Sequence, residues 1–109
     1  MGQEDREGIG MRKVMDGLMY DTHDATCIAR ECVTDMAMLG FFNETLNRNL
    51  YRTVNGRYFF HRRVLRLRWF WLSKEEDIIP CTEDEAMHFC MRHSQRSYNE
   101  IWGDRTERA

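Results

Sequence analysis

The chain has 109 residues, 42% apolar and 12% aromatic, with a net charge of −2. This leaves room for one domain with its own core and excludes a disordered polypeptide, whose composition is poorer in apolar residues. No run approaches the roughly 18 apolar residues of a membrane-spanning helix, and no apolar signal stretch opens the chain, so the expectation is a cytoplasmic protein with reduced cysteines and no membrane partner.

In chain order, residues 1–10 read as a flexible leader, polar and without periodicity. The dipeptide Asp16-Gly17, which accepts positive φ angles, predicts a tight hairpin between the short apolar runs of residues 12–20. Thr22 and Asp24 then read as a helix start. Ala25, Ile28, Ala29, Cys32, Met36 and Leu39, spaced by three and four, predict a helix over 22–39 that ends near Gly40.

A second hairpin is predicted with arms Leu46–Thr53 and Arg57–Arg63 around Val54-Asn55-Gly56. Two registers remain open. A two-residue turn pairs Tyr51 with Phe60, and a three-residue loop with a glycine bulge pairs Tyr51 with Phe59. The alternation of Leu65, Leu67, Trp69 and Trp71 predicts a third strand over 65–72. Lys74-Glu75-Glu76-Asp77 reads as a solvated turn, and Ile78-Ile79-Pro80 as a short edge segment. Thr82 with Glu85 forms a capping box for a helix over 83–93, and Ser97 with Glu100 repeats the signature before a last turn stopped by Gly103. The expected fold is therefore α+β, a small β-β-α-β-β-β-α domain over 11–103. An antiparallel sheet carries helices on one face, and 104–109 form a flexible tail.

Four cysteines (27, 32, 81, 90) and four histidines (23, 61, 88, 93) invite a search for metal ligands. Their spacings lack the paired short knuckles of a structural zinc site, and Cys32 and Cys90 fall on apolar stripes, so no metal or other cofactor is expected. On a helix His23 and Cys27 would stand one turn apart, close enough for an imidazole to activate a thiol. No phosphate loop, nucleophile elbow or dinucleotide fingerprint accompanies them, and a non-enzymatic protein is expected.

Charge carries the functional expectation. Residues 1–44 sum to −5, residues 45–74 to +8 with no acid among them, and residues 75–109 to −5. The cationic third is arginine-rich and interleaved with rings, a combination that suits protein hot spots, phosphates and stacked bases. Arg48, Arg52, Arg57, Tyr58, Arg62, Arg63, Arg66 and Arg68 are the expected binding residues, pointing outward together as one positive platform. The structural alternative pairs this block with the acidic flanks inside one molecule. Glu75–Asp77 and Glu83–Glu85 form a second, acidic candidate surface able to mimic nucleic-acid charge.

The blocks Val14-Met15-Asp16-Gly17, Tyr20-Asp21-Thr22, Leu50-Tyr51-Arg52-Thr53, Gly56-Arg57-Tyr58-Phe59 and Ile79-Pro80-Cys81-Thr82-Glu83-Asp84-Glu85-Ala86 resemble those of small bacterial and phage or mobile-element proteins. By analogy of size and source such proteins, the anti-CRISPR proteins among them, act as stoichiometric inhibitors of host defence. The expectation is thus an inhibitor or adaptor that binds a host protein or nucleoprotein complex, such as a CRISPR effector, through the arginine-aromatic hairpin. The alternative is direct binding of RNA or single-stranded DNA by the same hairpin.

Overall fold

The structure is a computed structural model that describes residues 10–37 and 42–105. The predicted first hairpin forms from β1 (Arg12–Met15) and β2 (Leu18–Asp21), which pair antiparallel as a separate two-stranded sheet. Asp16 and Gly17 both adopt positive φ, 53° and 77°, which lets the turn follow the right-handed twist of its strands.

The main sheet has four antiparallel strands in sequential order: β3 (Thr26–Ala37), β4 (Phe42–Arg52), β5 (Tyr58–Arg68) and β6 (Trp71–Cys81). The helix expected over 22–39 is instead β3, and Leu39 and Gly40 lie outside the described residues. Its three-and-four spacing is an accident of an irregular strand. A register shift between Cys27 and Ala29 breaks the alternation, and Thr26, Ile28, Val33 and Thr34 supply the β-branched residues that suit a strand. The ladder with β4 extends along almost the whole of β3 and outweighs any local helical preference.

At the second hairpin the three-residue alternative is realised, with Tyr51 opposite Phe59. Thr53 N–H bonds Arg57 O at 2.8 Å, and Gly56 occupies the left-handed position at φ 84°. Two further expectations are corrected. Residues 65–72 are not a separate strand: 65–68 complete β5, Trp69-Phe70 form a turn, and Trp71 opens β6. Lys74–Asp77 are not a turn but the middle of β6, an edge strand on which charges face water at little cost. Pro80 is tolerated on that same edge.

Thr82 caps α1 (Glu83–His93) with the predicted capping box, its side chain accepting from Glu85 N–H while Glu85 accepts from Thr82 N–H at 2.8 Å. The second helix, α2 (Gln95–Trp102), starts earlier than expected because Ser94, not Ser97, is its cap. A 3-10 turn, Gly103–Arg105, follows, and residues 106–109 of the expected tail lie outside the described residues. The class is α+β, with more strand than expected.

Directly opposed residues in a ladder share a face, which divides the sheet into two. On one face Ala29, Leu50 and Tyr58 meet Ala86, Phe89 and Cys90 of α1 and Trp102 of α2. On the other, Phe59 and Ile78 meet Tyr20, flanked by Met11, Met15, Ala25 and Tyr51. The helices and the first hairpin therefore sandwich the sheet near one of its ends. The far end, towards the β5–β6 turn, keeps its helix-side face largely open to solvent.

Candidate binding face

Six of the eight expected binding residues share the helix-side face by register: Arg48, Arg52, Tyr58, Arg62, Arg66 and Arg68. Arg63 lies on the opposite face, and Arg57 lies just past the β4–β5 turn. Tyr58 is a core residue rather than a surface one. It is 5% exposed, its ring lies 5.7 Å from that of Trp102, and its hydroxyl accepts from Arg52 Nε at 3.2 Å.

The arginines do not form one positive platform, because carboxylates from neighbouring strands stand between them. Arg48 Nε donates to Glu31 Oε1 at 2.7 Å, and its guanidinium lies 5.3 Å from the Phe60 ring and 5.1 Å from that of Phe89. Glu31 also faces His93 at 3.5 Å. Arg66 spans Glu44 at 2.7 Å and Glu75 at 3.3 Å, and these carboxylates push its already high pKa further up. Arg63 stands 3.4 Å from Glu76, yet its Nε makes no hydrogen bond, because Glu76 is aimed at the buried His61, 3.1 Å from Nε2. Ion pairing inside the molecule, the structural alternative, accounts for these three arginines.

Arg62 differs. Its cross-strand partner is Asp77, whose carboxylate is taken by Lys13 Nζ at 2.6 Å and by the Ile78 N–H at 2.8 Å. Those two bonds hold the Asp77 carboxyl below the usual carboxylate range, and Arg62 acts on it only at longer range. Arg62 thus has no ion pair among the described residues. It lines a hollow of about 340 Å³ beside α1, together with Leu46, Arg48, Phe60, Ile79 and Pro80. Val64, 2% exposed, lies between Arg62 and Arg66 on the strand, where their aliphatic stems can cover it. Arg52 and Arg57, both exposed, flank a separate polar hollow with Tyr20, Gly56 and Glu83.

Of the thiols and imidazoles, Cys81 lines the Arg62 hollow, Cys90 packs in the helix-side core and His93 meets Glu31. No group of three His, Cys, Asp or Glu among the described residues is placed to hold a metal. His23 sits in a turn, its ring 3.5 Å from Asp21, so the helix that would have stacked it on Cys27 does not exist. Burial raises the Cys27 thiol, the direction opposite to that of an activated nucleophile. Burial also pushes Cys81 up to about 12 and Cys90 up to about 11.

Sequence reading missed Glu31 and Glu44 as partners, since both lie far along the chain from the arginines they meet. Trp69 and Trp71, whose alternation with Leu65 and Leu67 predicted a strand, are both more than half exposed.

The architecture defines a small α+β protein with a four-stranded antiparallel sheet. No family model, curated protein or solved structure matches the chain.

Proposed function

We propose that this is a non-catalytic binding protein that acts by occupying a protein partner, as a stoichiometric inhibitor or adaptor, through the open helix-side face centred on Arg62. One observation carries the choice of partner class: carboxylates are interleaved with the arginines of that face, at Arg48–Glu31 and Arg66–Glu44–Glu75. Phosphates of a nucleic acid would meet this mixture with little net attraction, since backbone binding depends on uncompensated cations. A protein surface of mixed charge suits it better. Arg62 supplies a guanidinium of the kind enriched at protein hot spots, and Phe60, Leu46 and Ile79 beside it supply apolar surroundings.

The test is affinity capture from a bacterial host lysate with the wild-type chain and an Arg62→Glu variant. A stoichiometric protein partner should be retained by the first and weakened at least about tenfold by the second. A partner held equally by both would remove the face from consideration. An oligonucleotide shifted at low salt and released at high salt would favour the nucleic-acid reading instead.

A further inference from the structure

The β5–β6 turn ends the sheet in four consecutive large apolar residues. Trp69 is 56% exposed, Phe70 89%, Trp71 70% and Leu72 72%. Aromatic side chains present about 150–250 Å² each, so this tip exceeds the few hundred Å² of apolar patch usual on a soluble protein. Trp69 also holds φ at 58°, a left-handed conformation unfavourable for a bulky residue.

The distribution of the apolar groups selects the partner. Arg68 pairs with Trp71, and Leu67 with Leu72, so Trp71 and Leu72 point to opposite faces of the ribbon while Trp69 and Phe70 lie ahead of both. Apolar surface on both sides of a convex tip is poorly matched to a flat protein partner, which meets one side. It suits a medium that surrounds the tip. Behind it lies exposed Lys74; Arg68, in register with Trp71, is also exposed, and its guanidinium turns back to the carbonyl oxygens of Asn43 and Leu67, at the level of Leu72. Neither has a carboxylate partner among the described residues, whereas the nearby Glu44 and Glu75 are both held by Arg66.

We propose that this hairpin tip is an interfacial anchor that seats Phe70 and Trp71 in the surface of an anionic lipid bilayer, with Leu72 and the back-turned Arg68 guanidinium at its boundary and Lys74 at headgroup level. Two ladder steps measure about 7 Å, within the roughly 5–10 Å to which interfacial elements penetrate. Tryptophan favours that zone, and cations beside it gain from anionic lipid. Among the described residues no helix is long and apolar enough to cross a membrane, and an anchor of this kind requires none. The proposal is independent of the Arg62 face.

Sedimentation of the full chain with vesicles tests it, using phosphatidylcholine alone and an equimolar mixture with phosphatidylglycerol. The protein should pellet with the mixed vesicles, with less binding at high salt. Its tryptophan emission should shift to the blue, because Trp69 and Trp71 are exposed in the free protein while Trp102 is already buried. A Phe70→Ser, Trp71→Ser, Leu72→Ser variant with unchanged circular dichroism should bind at least about tenfold more weakly. Arg68→Glu with Lys74→Glu should abolish the preference for anionic lipid. Wild-type protein left in the supernatant with both vesicles, or a triple-serine variant that pellets like wild type, would overturn the anchor. So would a self-association that the triple variant abolishes in the absence of any vesicle binding.

Discussion

Arg48 stands directly opposite Arg62 across the β4–β5 ladder, two like charges in register on one face of the sheet. The pair is asymmetric, since Arg48 is bound by Glu31 and lies over two phenylalanine rings while Arg62 lines the open hollow. Arg48→Ala should therefore cost about 1–2 kcal/mol in urea unfolding, from the lost ion pair and the uncovered rings of Phe60 and Phe89. Arg62→Ala should stay within about 0.5 kcal/mol of wild type, or stabilise slightly by removing cross-strand repulsion. Equal losses for the two variants would show that the asymmetry has no energetic weight.

Trp102 is the closing residue of the helix-side core. It is 2% exposed, stacks near Tyr58 and Tyr98, and donates from Nε1 to Glu83 Oε2 at 3.0 Å. Trp102→Ala should cost about 3–5 kcal/mol. Trp102→Phe should recover most of that and lose only the indole bond, about 1–2 kcal/mol. Denaturant midpoints of the two variants check this ranking, and an inverted order would disprove it.

The backbone at Trp69 gives a prediction of opposite sign. Relieving its positive φ with Trp69→Gly should raise stability by about 1 kcal/mol, a gain visible as a higher melting temperature. A melting temperature at or below wild type would mean that contacts of the indole offset the backbone strain.

Alkaline pH should destabilise the protein through Cys81 and Cys90. Burial raises both thiols in the folded chain, to about 12 and about 11, above their ordinary value of 9.0. Well below the ordinary value of 9.0 these thiols are protonated in both states and contribute no pH dependence. As pH approaches and passes 9.0 the unfolded chain loses these protons first, so stability falls as pH rises towards the folded values. Cys90→Ala should flatten that decline, as followed by urea unfolding between pH 8 and pH 11 relative to the ordinary value. In the native state at pH 8, maleimide labelling should modify exposed Cys32 well before Cys81 or Cys90.

Local chemistry was legible where one short stretch of chain settles the conformation. Asp16-Gly17 marked its hairpin, Gly56 marked a loop with a bulge as one of two options, and Thr82 with Glu85 marked the start of α1. Each depends on contacts within a few residues. The stretch 26–37 was misread because a helical stripe and a bulged strand can share the same apolar spacing, and only the partner strand β4 decides between them. Residues 74–77 were misread for a related reason: a charged run looks like a turn unless an edge strand is known to run there.

The binding residues follow the same division. The sequence by itself determined that arginines and rings would be concentrated in residues 48–71, since composition and β-alternation are properties of the chain alone. Only the tertiary structure decided which guanidiniums keep their charge unspent. Glu31, Glu44 and Glu75 reach Arg48 and Arg66 through strand pairing across loops and turns, and Lys13 takes Asp77 from 64 residues away, leaving Arg62 without an ion pair among the described residues. Coulomb energy depends on distance in space, which the order of residues along a chain does not specify.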